Sequence, residues 1–255
     1  MAKRSARRSS ASVHALPTDH DPRFFGHGGG HGGGDGWDPL GYEPQRDQRY
    51  LRRVRPQNAN QQALMEAIDR HNVVLALGPA GTGKTYLAIA KAVEALEAGT
   101  VARIVLSRPA VEAGENLGYL PGGMEEKLAP YLRPLYDALA DRLGGARLRK
   151  LIADGTIEIA PLAFMRGRTL NNAFVVLDEA QNCTYGQLKM LLTRLGWHST
   201  MVVTGDPGQS DLLPGLSGLC DIARRLEALD DVAVIRLEEA DVVRHPLVAT
   251  MLTVI

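Results

Sequence analysis

A chain of 255 residues with 45% hydrophobic side chains is long enough for one large domain, or one domain and a tail, around a sizeable core. Its 29 Lys/Arg balance 29 Asp/Glu, so net charge argues neither for nor against a polyanionic partner. Two cysteines outside any CxxC pair exclude a disulfide framework, and no window approaches the ~18 apolar residues of a membrane span, so a cytoplasmic protein is expected.

Residues 1–55 read as a flexible basic and Gly-rich arm, with ten Lys/Arg against six Asp/Glu. FFGHGGGHGGGDGW is too rich in glycine to pack a core, and its two histidines, His27 and His31, lack Cys or carboxylate partners for a metal. The N-terminus is basic without an apolar stretch after it, which is not the pattern of a secretory signal. In the run Arg46 to Arg55, around Tyr50, two readings stand open: contact with RNA phosphates, or plain solvation.

From residue 56 to 255 the texture is that of a second, folded domain. Short apolar runs at 72–78, 102–108, 156–161, 173–179, 199–206 and 231–237 alternate with helical patterns. Several runs are continuously apolar, which suits strands buried on both faces of a parallel sheet. KTYLAIAKAVEALEAG reads as a helix with Gly99 at its C-terminal cap. The expected class is α/β with a mostly parallel sheet.

Gly78-Pro79-Ala80-Gly81-Thr82-Gly83-Lys84-Thr85 follows the first run and opens that helix, matching GxxxxGK[ST] in a strand–loop–helix setting. Glycines let backbone N–H groups curl around phosphate oxygens, and the helix N-terminus adds its positive end. Lys84 is placed to reach the β- and γ-phosphates of ATP, and Thr85 to offer a hydroxyl to Mg²⁺. AFVVLDEAQN then ends a second apolar run on two acids: Asp178, suited to holding Mg²⁺, and Glu179, suited to act as general base on water. The bland alternative for this pair is an N-cap carboxylate. A third run ends in Gly205-Asp206-Pro207-Gly208-Gln209. If the three ends lie side by side, the Gln209 amide is a sensor of the γ-phosphate, driving movement in Leu212 to Gly218. Asp206 either orders metal-bound water or holds the turn that aims Gln209.

GPAGTGKT, LDEAQ and GDPGQ together resemble the ATPase core of superfamily-one helicases. With the longer stretches at 106–139, 157–184, 191–206 and 242–248, the chain resembles the PhoH family of phosphate-loop ATPases over roughly residues 56–250. The resemblance implies a three-layer RecA-like P-loop NTPase fold and RNA-directed, helicase-like ATP hydrolysis. It implies an adenine-reading glutamine, Gln61 or Gln62 in NANQQ, and a nucleic-acid-contacting loop at Ser107-Arg108-Pro109, followed by Glu112, Gly114 and Glu115. Tyr119 and Tyr131 are candidates for stacking on single-stranded RNA. No nuclease-like domain and no second RecA-like domain are expected. A lone RecA-like domain implies a homo-oligomer, a hexameric ring in this family, with an arginine reaching into the neighbour's site. Arg166, Arg168, Arg194 and Arg244 are the candidates, each with a structural salt bridge as its alternative. Two competing functions are a nucleotide-dependent adaptor for a ribonuclease or ribosome-related partner, and a small-molecule kinase. The kinase is disfavoured because the Asp-Glu pair points to water.

Overall fold

The structure, a computed structural model, describes residues 54–109 and 124–243. The arm up to residue 53, and Glu112, Gly114, Glu115, Tyr119 and Arg244, lie outside the described residues. All six apolar runs form strands, shorter than the runs by one or two residues: β1 (Val73–Leu77), β2 (Arg103–Arg108), β3 (Ile157–Pro161), β4 (Ala173–Leu177), β5 (Thr200–Gly205) and β6 (Val232–Arg236). β1, β4 and β5 stop where Gly78, Asp178 and Gly205-Asp206 turn the chain out of the sheet. The α-helices among the described residues are α1 (Ala59–Arg70), α2 (Lys84–Glu97), α3 (Met124–Leu143), α4 (Gly145–Ala153), α5 (Tyr185–Leu192) and α6 (Leu219–Leu226).

The strands pair in parallel in the order β3-β2-β4-β5-β1-β6. Alternation along each strand sends side chains to two separate cores. Val74, Ala76, Ile104, Leu106, Phe174 and Val176 face Leu64 of α1, Leu87 of α2, Leu139 of α3 and Leu148 of α4. Leu75, Leu77, Val105, Val175, Leu177 and Val203 face Leu188 of α5 and Leu219 of α6. Helices therefore cover both faces, which is why these strands are apolar without a polar side. This is the three-layer, RecA-like phosphate-loop architecture.

Local signals set the helix ends. Asn58 caps α1, its side chain accepting from the Gln61 N–H at 2.8 Å. Thr184 and Gln187 cap α5 reciprocally as a capping box. Past the end of α2, Gly99 turns at φ +68, with the Thr100 N–H returning to the Ala95 carbonyl at 3.0 Å. Val54, the first described residue, packs against the first core. No helix among the described residues is long and apolar enough to cross a membrane.

Strand order fixes the site. β5 lies between β1 and β4, in register Leu77↔Gly205 and Leu177↔Val203. Two further backbone bonds continue the ladders past the strand ends, Gly78 N–H to Gly205 O at 3.1 Å and Asp178 N–H to Ser107 O at 2.9 Å. The phosphate loop, the Asp-Glu pair and the Gly-Asp turn thus leave the sheet at one end, as neighbours.

Candidate active site

Gly78 leaves β1 at φ +146, and a β-carbon there would lie 2.3 Å from the Leu237 carbonyl oxygen, so only glycine fits. Gly81 and Gly83 follow at φ +83, leaving Ala80 and Gly81 exposed at the loop tip. α2 begins at Lys84 with no side chain capping it, so its first N–H groups face outward for an anion. Lys84 is buried, its Nζ donating to the carbonyls of Gly78 and Pro79 at 2.6 Å each. Thr82, wholly buried, donates to the Pro79 carbonyl at 2.9 Å and braces the same turn.

Gln61 reaches the loop from α1. Its Nε2 donates to the Thr82 carbonyl at 3.0 Å, and its Oε1 accepts from the Gln57 N–H at 2.8 Å. Both ends of this buried amide are used within the protein. Gln62 points elsewhere, donating to Glu66 on the exposed side of α1.

Across from the loop, the Thr85 hydroxyl donates to Asp178 Oδ1 at 2.6 Å, and the Thr204 hydroxyl of β5 donates to the same oxygen at 2.8 Å. Glu179 adopts the left-handed backbone at φ +54, an uncommon state for a non-glycine that redirects its side chain away from the strand axis. Its two oxygens have different partners. Arg108 donates to Oε1 at 2.9 Å, and Gln181 Nε2 donates to Oε2. The other end of the Gln181 amide accepts the Asp206 N–H at 3.0 Å, linking the acids to the β5 turn.

Asp206 builds that turn. Its Oδ1 accepts from the Gly208 N–H at 2.9 Å and its carbonyl from the Gln209 N–H at 3.1 Å. Of the two roles open to Asp206, the turn-holding one is the one its bonds describe. Gln209 sits exposed on the turn, its side chain unbonded among the described residues. Burial holds the Lys84 ammonium below the ordinary lysine value, opposed by the charges of Asp206, Glu179 and Asp178 in that order. All three carboxylates therefore face one lysine.

The remaining candidates separate. Arg168 makes a two-pronged ion pair with Glu158 at 2.6 and 2.7 Å. Arg194 donates to the carbonyls of Met190 and Arg168, each at 3.2 Å. Arg166 is exposed and its side chain has no partner among the described residues. Ser107, Arg108 and Pro109, expected as a nucleic-acid-facing loop, turn inward instead: Ser107 and Pro109 are buried, and Arg108 points at the acids. Gln181 and Thr204 bond to the acids without having been singled out by motif reading, and Arg108 bonds to them instead of facing outward as expected. The signals were a threonine within an apolar strand, an amide two residues past the acids, and an arginine at a strand end.

The sequence model of the family described as PhoH-like protein matches residues 53–255. The chain belongs to the PhoH-like family. A PhoH-like protein of Bacillus subtilis is 54% identical over 200 residues, covering 78% of this chain and 63% of that one. One from Mycobacterium tuberculosis is 58% identical over 197 residues, covering 77% and 56%. Protein PhoH of Escherichia coli is 46% identical over 205 residues, covering 79% and 58%. The match thus spans under two thirds of each of these PhoH-like relatives. A solved SWI2/SNF2 ATPase core from Sulfolobus solfataricus with double-stranded DNA is similar at 14% identity and a TM-score of 0.45, over 74% of this chain and 46% of that one, too distant to carry inference.

Proposed function

We propose that this chain is an ATP-binding, Mg²⁺-dependent ATPase that acts on RNA or ribonucleoprotein as a homo-oligomer in the cytoplasm. The observation that carries the ATPase reading is the 2.6 Å bond between Thr85 and Asp178, beside a buried Lys84 that three carboxylates face. A hydroxyl and a carboxylate are hard oxygen donors of the kind Mg²⁺ takes alongside substrate phosphates, so the residues present fit the ion. Bound there, Mg²⁺ would neutralise charge on the β- and γ-phosphates.

The chain's own groups account for the rest. Backbone N–H groups of Gly81 to Thr85 would receive phosphate oxygens, and Lys84 would exchange its carbonyl partners for them. Glu179, fixed at both oxygens, keeps lone pairs free to take a proton from the attacking water. Gln209 reads the γ-phosphate from the exposed turn, and Gln61, the candidate adenine-reading residue, holds the loop through the Thr82 carbonyl. Of the three candidates among the described residues, Arg166 is the one best suited to complete a neighbour's site, because Arg168 and Arg194 are engaged within their own chain, while Arg244 lies outside those residues. The two free cysteines fit a reducing compartment.

The test is ATP turnover with and without single-stranded RNA, alongside gel filtration. Turnover that rises with RNA in an assembly larger than one chain is expected. Turnover that ignores RNA, with no RNA retained, sinks the remodelling reading and leaves an adaptor with slow hydrolysis. Full activity at the mass of one chain sinks the shared site.

A further inference from the structure

We infer that Arg108 is a positioning residue for Glu179, and that through it α3 sets the geometry of the general base. The inference rests on the ATPase reading above and goes beyond it. Three contacts of one guanidinium carry it. Its NH2 group donates to Glu179 Oε1 at 2.9 Å, its NH1 group donates to the Tyr131 carbonyl of α3 at 2.9 Å, and its Nε lies 3.9 Å from Asp178 Oδ2. A planar fork can hold two acceptors at a fixed angle, which a lysine cannot do.

The fork is anchored at its base as well. Arg108 is the last residue of β2, and the preceding carbonyl, of Ser107, accepts the Asp178 N–H at 2.9 Å. Backbone and side chain of this strand end therefore grip successive acids of the site. The Glu179 backbone sits in a left-handed conformation that nothing in its own side chain stabilises, so the direction of the carboxylate depends on what it bonds. Those bonds are Arg108 on one oxygen and Gln181 on the other. A carboxylate offers about four lone-pair sites, so the two donors orient the group without closing it to water.

The far anchor makes the device responsive. Tyr131 belongs to α3, and Pro134 in the same helix has no N–H for the carbonyl one turn back. That turn is short of a helical bond next to the carbonyl that Arg108 holds. Movement of α3 against β2 would pull the guanidinium and with it Glu179.

Arg108→Met, Arg108→Lys, Glu179→Gln and the double variant Arg108→Met/Glu179→Gln are compared with the wild type in Mg²⁺·ATP turnover and in binding of a fluorescent ATP analogue. Arg108→Met is expected to lower kcat about 10- to 100-fold while analogue affinity stays within about threefold, as for loss of a group that orients a base. Arg108→Lys, keeping the charge and losing the fork, is expected to fall between the two. The double variant is expected to turn over no more slowly than Glu179→Gln, because Arg108 acts through Glu179. Wild-type kcat in Arg108→Met overturns the inference, and so does a further loss of about tenfold in the double variant, which would put Arg108 on the phosphates directly. If Arg108→Met does not fold, wild-type kcat in Arg108→Lys overturns it instead. Normal turnover in Glu179→Gln removes the base assignment and the inference together, whereas an inactive Glu179→Gln beside a fully active Arg108→Met removes only the inference.

Discussion

At the end of the sheet where the strands begin, a cleft of about 540 Å³ opens between α1, α2 and the start of β5, lined by Asp69, Lys91, Glu94 and His198 among others. Lys91 there donates to Asp69 at 2.6 Å and lies 3.2 Å from Glu94, so its charge is met by carboxylates in contact. At the opposite end, Lys84 touches carbonyls and a hydroxyl, and forms no ion pair among the described residues. The carboxylates that face it are held by others: Asp178 by two threonines, Glu179 by Arg108 and Gln181, Asp206 by the Gly208 N–H. The cleft at the strand-entry end is the one whose lysine is already met by carboxylates. What sets the opposite end apart is a buried lysine with no carboxylate in contact, on which the charges of three carboxylates nevertheless act.

The sharpest way to break this comparison is Lys84→Ala. Nucleotide affinity should fall by about 100-fold or more, read by titration of a fluorescent analogue, since a buried charge-assisted contact to phosphate is lost. Glu179→Gln should keep nucleotide affinity and lose about 10²- to 10⁴-fold in turnover, seen as bound but unhydrolysed ATP in single-turnover assays. Gly78→Ala should cost about 3 kcal/mol, roughly 6–12 °C of Tm by calorimetry, because its β-carbon meets the Leu237 carbonyl.

At the strand-entry end the expected effects are smaller. Lys91→Met should leave turnover unchanged and cost about 0.5–1 kcal/mol at neutral pH, measured by urea unfolding. Burial pulls the Lys91 ammonium down, but its hydrogen bonds to Asp69 and Glu94 outweigh it and raise the group above the ordinary 10.5. The contribution is therefore complete below pH 10.5 and fades as pH climbs through the raised value, so wild type and Lys91→Met should converge in alkali. Last, burial pushes the Cys183 thiol up to about 12, while Cys220 is exposed. A thiol reagent at pH 8 should modify Cys220 alone in the folded protein and reach Cys183 only on unfolding, followed by mass spectrometry.

The sheet was legible because its central strands are buried on both faces, so β1 and β4 above all announced themselves as unbroken apolar runs. The phosphate loop was legible because its glycines answer a steric demand, as Gly78 against Leu237 shows. What stayed hidden was contact across strand ends. Nothing local in Ser107-Arg108-Pro109 says that the guanidinium turns toward residues seventy positions on. Likewise Thr204 and Gln181 acquire partners only once β5 is inserted between β1 and β4. The four candidate arginines were indistinguishable by spacing, since what separates Arg166 from Arg168 is the presence of Glu158 on a neighbouring strand.

The chain just after β6 lies along the phosphate loop: the Leu237 N–H reaches Leu77, the Leu237 carbonyl abuts Gly78, and the Val243 N–H bonds Gly81 at 3.0 Å. A ribosome that has made residues 54–100 has delivered every letter of the nucleotide motif and none of the segment that locks it. Some 140 further residues separate those letters from the contacts that lock the loop, so closing it depends on the most distant pairings in the sheet. A nascent chain arrested before residue 237 should therefore bind no ATP, however well its first strands are already paired.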